Sequence, residues 1–134
     1  MHLAYALEPQ LSAQEFRAVL VASTLGPRRP VEEPERLERM LRTADVIVTA
    51  RDGAKLVGVS RAITDFAFCC YLSDLAVDAA YQHQGIGKRL VAETRAAAGD
   101  SASLFLFAAP AAEGYYLKIG MDPMPHGWVI RRSR

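Results

Sequence analysis

Tyr71-Leu72-Ser73-Asp74-Leu75-Ala76-Val77-Asp78, a polar turn from Ala79 to His83, then Gln84-Gly85-Ile86-Gly87-Lys88-Arg89-Leu90-Val91 and on to Ala98 set the architecture of the chain. The first eight residues read as a strand. The glycine-bearing loop feeds straight into a helix. Strand, glycine loop and helix in that order form an anion site, because the first-turn N–H groups are free and the macrodipole favours negative charge there. Gly85 and Gly87 have no Cβ, so a phosphate can approach the main chain and positive φ costs little. Lys88 and Arg89 add positive charge just inside the helix.

Two phosphate ligands fail on spacing. A nucleoside-triphosphate loop needs glycine where Gln82 stands and Ser or Thr where Arg89 stands. A dinucleotide fingerprint needs a third glycine in place of Leu90 and an acidic residue about 20 positions on, where Leu104 to Ala109 carry no charge. Composition excludes more. A chain of 134 residues, 51% apolar, builds one core, so residues 1–134 are read as a single domain. The net charge of +1 gives no reason to invoke nucleic acid or an anionic membrane. No apolar run is long enough to span a bilayer, and Met1 to Glu8 lacks the positive flank expected of a signal peptide. Cys69 and Cys70 are adjacent, too strained for a routine disulfide, and read as buried thiols in a reducing cytoplasm. His2, His83 and His126 have no ligand spacing, so no metal site is expected.

Along the chain, Leu3 to Leu7 is a strand. Ser12-Ala13-Gln14-Glu15 has capping-box form, and Phe16, Val19, Leu20 and Ser23 share one helical face. A second helix starts near Pro34, with Leu37, Met40 and Leu41 as its apolar stripe. Val46 to Ala50 is β-branched, Asp52-Gly53 is a hairpin signal, and Lys55 to Asp65 forms the second arm. Phe66 to Val77 is the third strand of the meander. Helix Gly87–Ala98 is ended by Gly99-Asp100. Leu104 to Ala108 reads as a buried strand parallel to the one before the loop, joined by a right-handed crossover. Pro110 opens a helix that Gly120 closes, and Trp128-Val129-Ile130 reads as a last strand. The order is β-α-α-β-β-β-α-β-α-β, an α+β fold whose mixed, mostly antiparallel sheet has 6–7 strands flanked by about four helices.

Gln82-x-x-Gly85-x-Gly87 between strand and helix resembles the coenzyme A pyrophosphate loop of the GNAT superfamily of N-acetyltransferases. Tyr115-Tyr116-Leu117-Lys118-Ile119-Gly120-Met121 looks like that family's aromatic-Tyr segment, and the element order matches over nearly the whole chain. The resemblance implies an acetyl-CoA ligand wedged between the fourth and fifth strands. Main-chain groups of Leu75, Ala76 and Val77 would pair with its pantetheine arm as a further strand would. Gln82, His83, Gln84, Gly85, Ile86, Gly87, Lys88 and Arg89 would hold the pyrophosphate. Tyr116 matches the family's tyrosine near the thioester sulfur, where a phenol of pKa about 10 can protonate a departing thiolate.

Direct transfer needs a neutral amine, and Asp74, a lone carboxylate in an apolar strand, is either the proton acceptor or a backbone-bonding Asp at a bulge. Backbone N–H at Leu75 or Val77 would polarise the oxyanion. Arg28, Arg29, Phe66, Phe68 and Trp128 are candidates for the acceptor pocket. The expected activity is acetyl transfer to a primary amine of a small molecule or peptide. Alternatives are a non-catalytic acyl-CoA sensor and an enzyme acting on a protein N-terminus or other macromolecule. An exposed terminal strand would suit a homodimer.

Overall fold

The computed structural model describes residues 2–133. Five strands, β1 (Leu3–Leu7), β2 (Val46–Asp52), β3 (Lys55–Thr64), β4 (Cys69–Val77) and β5 (Ser103–Phe105), stand in the order β1-β2-β3-β4-β5. The first four pair antiparallel, and β5 lies parallel to β4. Four α-helices, α1 (Ala13–Ala22), α2 (Pro34–Arg42), α3 (Ile86–Ala98) and α4 (Glu113–Lys118), complete the fold.

Local signals account for most of this. The Ser12 side chain accepts from Glu15 N–H, Pro34 opens α2, and Gly53 turns the β2–β3 hairpin at φ 61°. Glu15 does not close the capping box, because its carboxylate goes to Arg51 on β2. Each face of the sheet buries its own core. On one face Val48, Ala50 and Val57 meet Ile86 and Leu90 of α3. On the other, Ile47, Val59 and Ala76 meet Phe16, Leu20, Leu37 and Leu41 of α1 and α2. Each such aliphatic side chain contributes about 1.5–3 kcal/mol by leaving water.

One irregularity shapes the site. Arg61 lies opposite Asp74 and Ala62 opposite Leu72, so Ser73 is an extra residue in β4. The alternation flips there. Cys70 and Leu72 pack on the α3 face, whereas Ala76 packs on the α1–α2 face.

Five expectations need correction. The sheet has five strands, not 6–7. Residues 121–133 form no strand, and Trp128 and Ile130 are 93% and 99% exposed. β4 begins at Cys69, because Asp65 Oδ1 accepts the N–H groups of Ala67, Phe68 and Cys69 and curls the segment into a turn, with Phe66 at φ 60°. β5 is three residues long and leaves Phe107 64% exposed rather than buried. Of the two cysteines, Cys70 is buried and Cys69 exposed.

Candidate active site

β4 pairs with β3 from Cys70 to Val77 but with β5 only from Cys69 to Tyr71. Beyond Tyr71 the two strands part, and the edge of β4 has no strand to answer it. Two side chains satisfy part of that edge: Arg29 Nη2 donates to Ser73 O at 2.7 Å, and Gln82 Nε2 to Val77 O at 3.2 Å. Leu75 lies between them with no strand facing it. An extended chain carrying amide groups fits such a gap.

The open edge leads to the start of α3. Asp78 caps a 3-10 turn over Ala79–Tyr81, and His83 and Gly85 follow with φ 65° and 82°. Among the described residues, no main-chain carbonyl accepts from the N–H groups of Gln82 to Lys88. Arg89 N–H, bonded to Gly85 O at 3.1 Å, is the first of the helix to find one. These free donors fit a diphosphate. Gly87 has a further reason to lack a side chain. A Cβ at position 87 would meet the Tyr115 hydroxyl at 2.5 Å. A phenol thus stands over the first turn of α3, at the edge of the cradle. Arg89 turns elsewhere, its guanidinium 4.6 Å from the Tyr5 ring and its Nε 3.3 Å from Glu93, so it adds no free charge to the cradle.

Tyr116 is packed edge-on against Tyr115 with centroids 5.3 Å apart. Burial, helped by the neighbouring Tyr115, pushes its phenol above the usual tyrosine value. The group is held in its protonated form.

Asp74 is fully buried, and both of its oxygens are taken. Arg29 Nε donates to one and Arg61 Nε to the other. Arg61 also reaches Ser73 Oγ at 3.0 Å and Met40 O at 3.3 Å. With a guanidinium on each oxygen and no exposure to solvent, the carboxylate is held in its ionised form inside an ion-pair cluster. Asp74 therefore ties the loop after α1, the end of α2 and the bulge of β4 together. Arg61 escaped the sequence reading. Its signal was a lone charge inside an apolar strand, which demands a buried partner.

The other pocket candidates disperse. Arg29 belongs to the Asp74 cluster. Arg28 is exposed in the 3-10 turn Gly26–Arg28, Phe66 and Phe68 are exposed in the β3–β4 turn, and Trp128 projects into solvent. Among the described residues no cluster of three or more His, Cys, Asp or Glu is gathered for a metal, and no helix is long and apolar enough to cross a membrane.

Comparison with known proteins agrees with this geometry. The family model for an acetyltransferase (GNAT) domain matches residues 12–124. The chloroplastic GCN5-related N-acetyltransferase 2 of Arabidopsis thaliana is 37% identical over 75 residues, 54% of this chain and 29% of that protein. The chain spans less than half the length of the curated relatives it matches. A probable acetyltransferase from meticillin-resistant Staphylococcus aureus superposes with a TM-score of 0.81 at 22% identity, covering 98% of this chain and 100% of that one. The aminoglycoside acetyltransferase AAC(6')-Iy, solved with a bisubstrate analogue of coenzyme A and acetylneamine, gives 0.75 at 13% identity over 98% and 99%. With its family model spanning most of the sequence and the split sheet in place, the chain belongs to the GNAT family of acetyltransferases.

Proposed function

We propose that the protein is an acetyl-CoA-dependent N-acetyltransferase that passes an acetyl group directly to a primary amine. The observation that carries this is the unpaired edge of β4 running from Leu72 into the free N–H groups of Gln82 to Lys88. Leu75, Ala76 and Val77 hold the pantetheine amides through their main chain, and the start of α3 holds the pyrophosphate. Bound there, acetyl-CoA supplies the activated thioester. Tyr116 Oη–H donates to the sulfur as the C–S bond breaks, and backbone N–H at Leu75 or Val77 steadies the oxyanion. Asp74 keeps the strand in shape, and solvent takes the amine proton. Two copies of the chain associate through segment 122–133, a reading supported by the exposure of Trp128 and Ile130.

Calorimetric titration with acetyl-CoA, followed by thiol release in the presence of primary amines, tests the reading. Binding heat and amine-dependent thiol release are expected. No heat, or heat with no thiol release, overturns it.

A further inference from the structure

Which amine is accepted follows from the face by which it must enter, an argument that rests on the transferase reading above. Beside the open edge of β4, the α3 face is filled. Leu75 and Val77 pack there against the cluster that contains Ile86 and Leu90. An acceptor therefore reaches the gap from the α1–α2 face.

That face of the sheet is aromatic where the helices leave it uncovered. Cys70 and Leu72 of β4 pack on the α3 side, and so do Leu104 and Leu106 around β5. Tyr71, Phe105 and Phe107, which alternate with them, project the other way. Their rings form one platform. Tyr71 and Phe105 stack with centroids 5.2 Å apart and planes at 11°, while Phe107 stands edge-on to both at 5.7 and 6.1 Å. Ile63, opposite Tyr71 on β3, extends it and is 46% exposed. Gly127 bounds it: a Cβ there would lie 3.4 Å from the Phe107 ring.

The charge carried by the strands beside the platform has the wrong sign for a polycation. Within the five strands the only carboxylates are Asp52 and Asp74. Asp52 is engaged with His2 N–H and Tyr81 Oη at the opposite end of the sheet. Asp74, three residues from Tyr71, is outnumbered by Arg29 and Arg61, which leaves an excess positive charge. Bordering acids are engaged in part: Asp65 Oδ1 holds three backbone N–H groups and Asp45 Oδ2 the Thr64 N–H, while Glu32 pairs with Arg17 and Glu33 with Arg36. A polyamine or a lysine-rich segment would place its extra ammonium groups against guanidinium with no unpaired strand carboxylate to receive them. A flat apolar body finds rings to stack on.

We infer that the acceptor is a monoamine carried on an aromatic or flat apolar body, seated on Tyr71, Phe105 and Phe107, and that polycations are rejected. The test is thiol release by the full chain with 2-phenylethylamine, spermidine and kanamycin, alongside calorimetry with acetyl-CoA. Phenylethylamine is expected to exceed both polycations in kcat/KM by about tenfold or more. Phe107→Ala should raise its KM about three- to tenfold, the loss of one aromatic contact, with acetyl-CoA affinity unchanged. Phe105→Leu, which keeps the apolar volume, should do the same. Better turnover of spermidine or kanamycin, no turnover of phenylethylamine by protein that binds acetyl-CoA, or an unchanged KM in both variants overturns the inference. Absence of acetyl-CoA binding is a different failure and removes the transferase reading itself.

Discussion

Tyr115 and Tyr116 are neighbours in the chain, yet one hydroxyl lies over Gly87 and the other ring packs edge-on against the first, with its phenol raised by burial. Their roles should separate in kinetics. Tyr116→Phe removes the proton donor, so kcat should fall about a hundredfold or more while acetyl-CoA affinity holds. A raised pKa keeps the proton on at higher pH, so the donor is lost only above the ordinary phenol value of about 10. The ratio of wild-type to variant kcat should therefore stay flat from about pH 6 to 9. Tyr115→Phe should instead alter the acetyl-CoA dissociation constant and leave kcat alone. Equal kcat in Tyr116→Phe and wild type would remove the donor role.

At this scale the sequence pointed to Asp74 by the oddity of a carboxylate among apolar neighbours. It did not reveal what Asp74 does. Arg29 is 45 residues away and Arg61 is 13 away, and only the folded sheet brings them together.

Elements were legible in proportion to how locally they are determined. β1, the hairpin of β2 and β3, α2 and α3 carry their own caps, turns and periodicity, and the structure places them within a residue or two of expectation. β5 and the start of β4 were not legible. Their limits depend on a neighbour: pairing stops at Tyr71 as β4 bulges and departs, and Asp65 captures three N–H groups that a strand would have used.

One tie between elements carries a pH prediction. Arg51 on β2 grips Glu8 after β1 through Nε and Nη2, each at 2.8 Å, and Glu15 of α1 through Nη1 at 2.7 Å. Chiefly by that Arg51 bond, Glu8 is held below the usual carboxylate value. A depressed folded value means the unfolded chain binds the proton first. The stabilisation is thus present above the ordinary glutamate value of about 4.3 and is lost as pH falls through the lower folded value. Glu8→Gln should cost about 1–3 kcal/mol at pH 7 and flatten the loss below about pH 5, read from urea midpoints across that range. An unaltered pH dependence in the variant would show that the contact contributes nothing.

For the molecule as a whole, the remaining anomaly is segment 122–133. Trp128, Val129 and Ile130 have strand-forming side chains, yet they are 93%, 69% and 99% exposed. No main-chain N–H beyond Met121 donates to another main-chain group among the described residues. β5 meanwhile ends the sheet with its outer edge unpaired. An open edge and an unpaired apolar segment in one chain complement each other, and two copies can satisfy both at once. Trp128 is the only tryptophan, so its emission reports on this segment alone. Sedimentation should give twice the 14.7 kDa of one chain, with emission blue-shifted from that of unfolded protein and moving to the red on dilution. Ile130→Asp, at a position exposed in the single chain and so harmless to its core, should yield a monomer with red emission at all concentrations. A monomer with red emission in the wild type would mean that the segment stays in solvent. A monomer with blue emission would mean that it folds onto its own sheet. Either result excludes association through this segment.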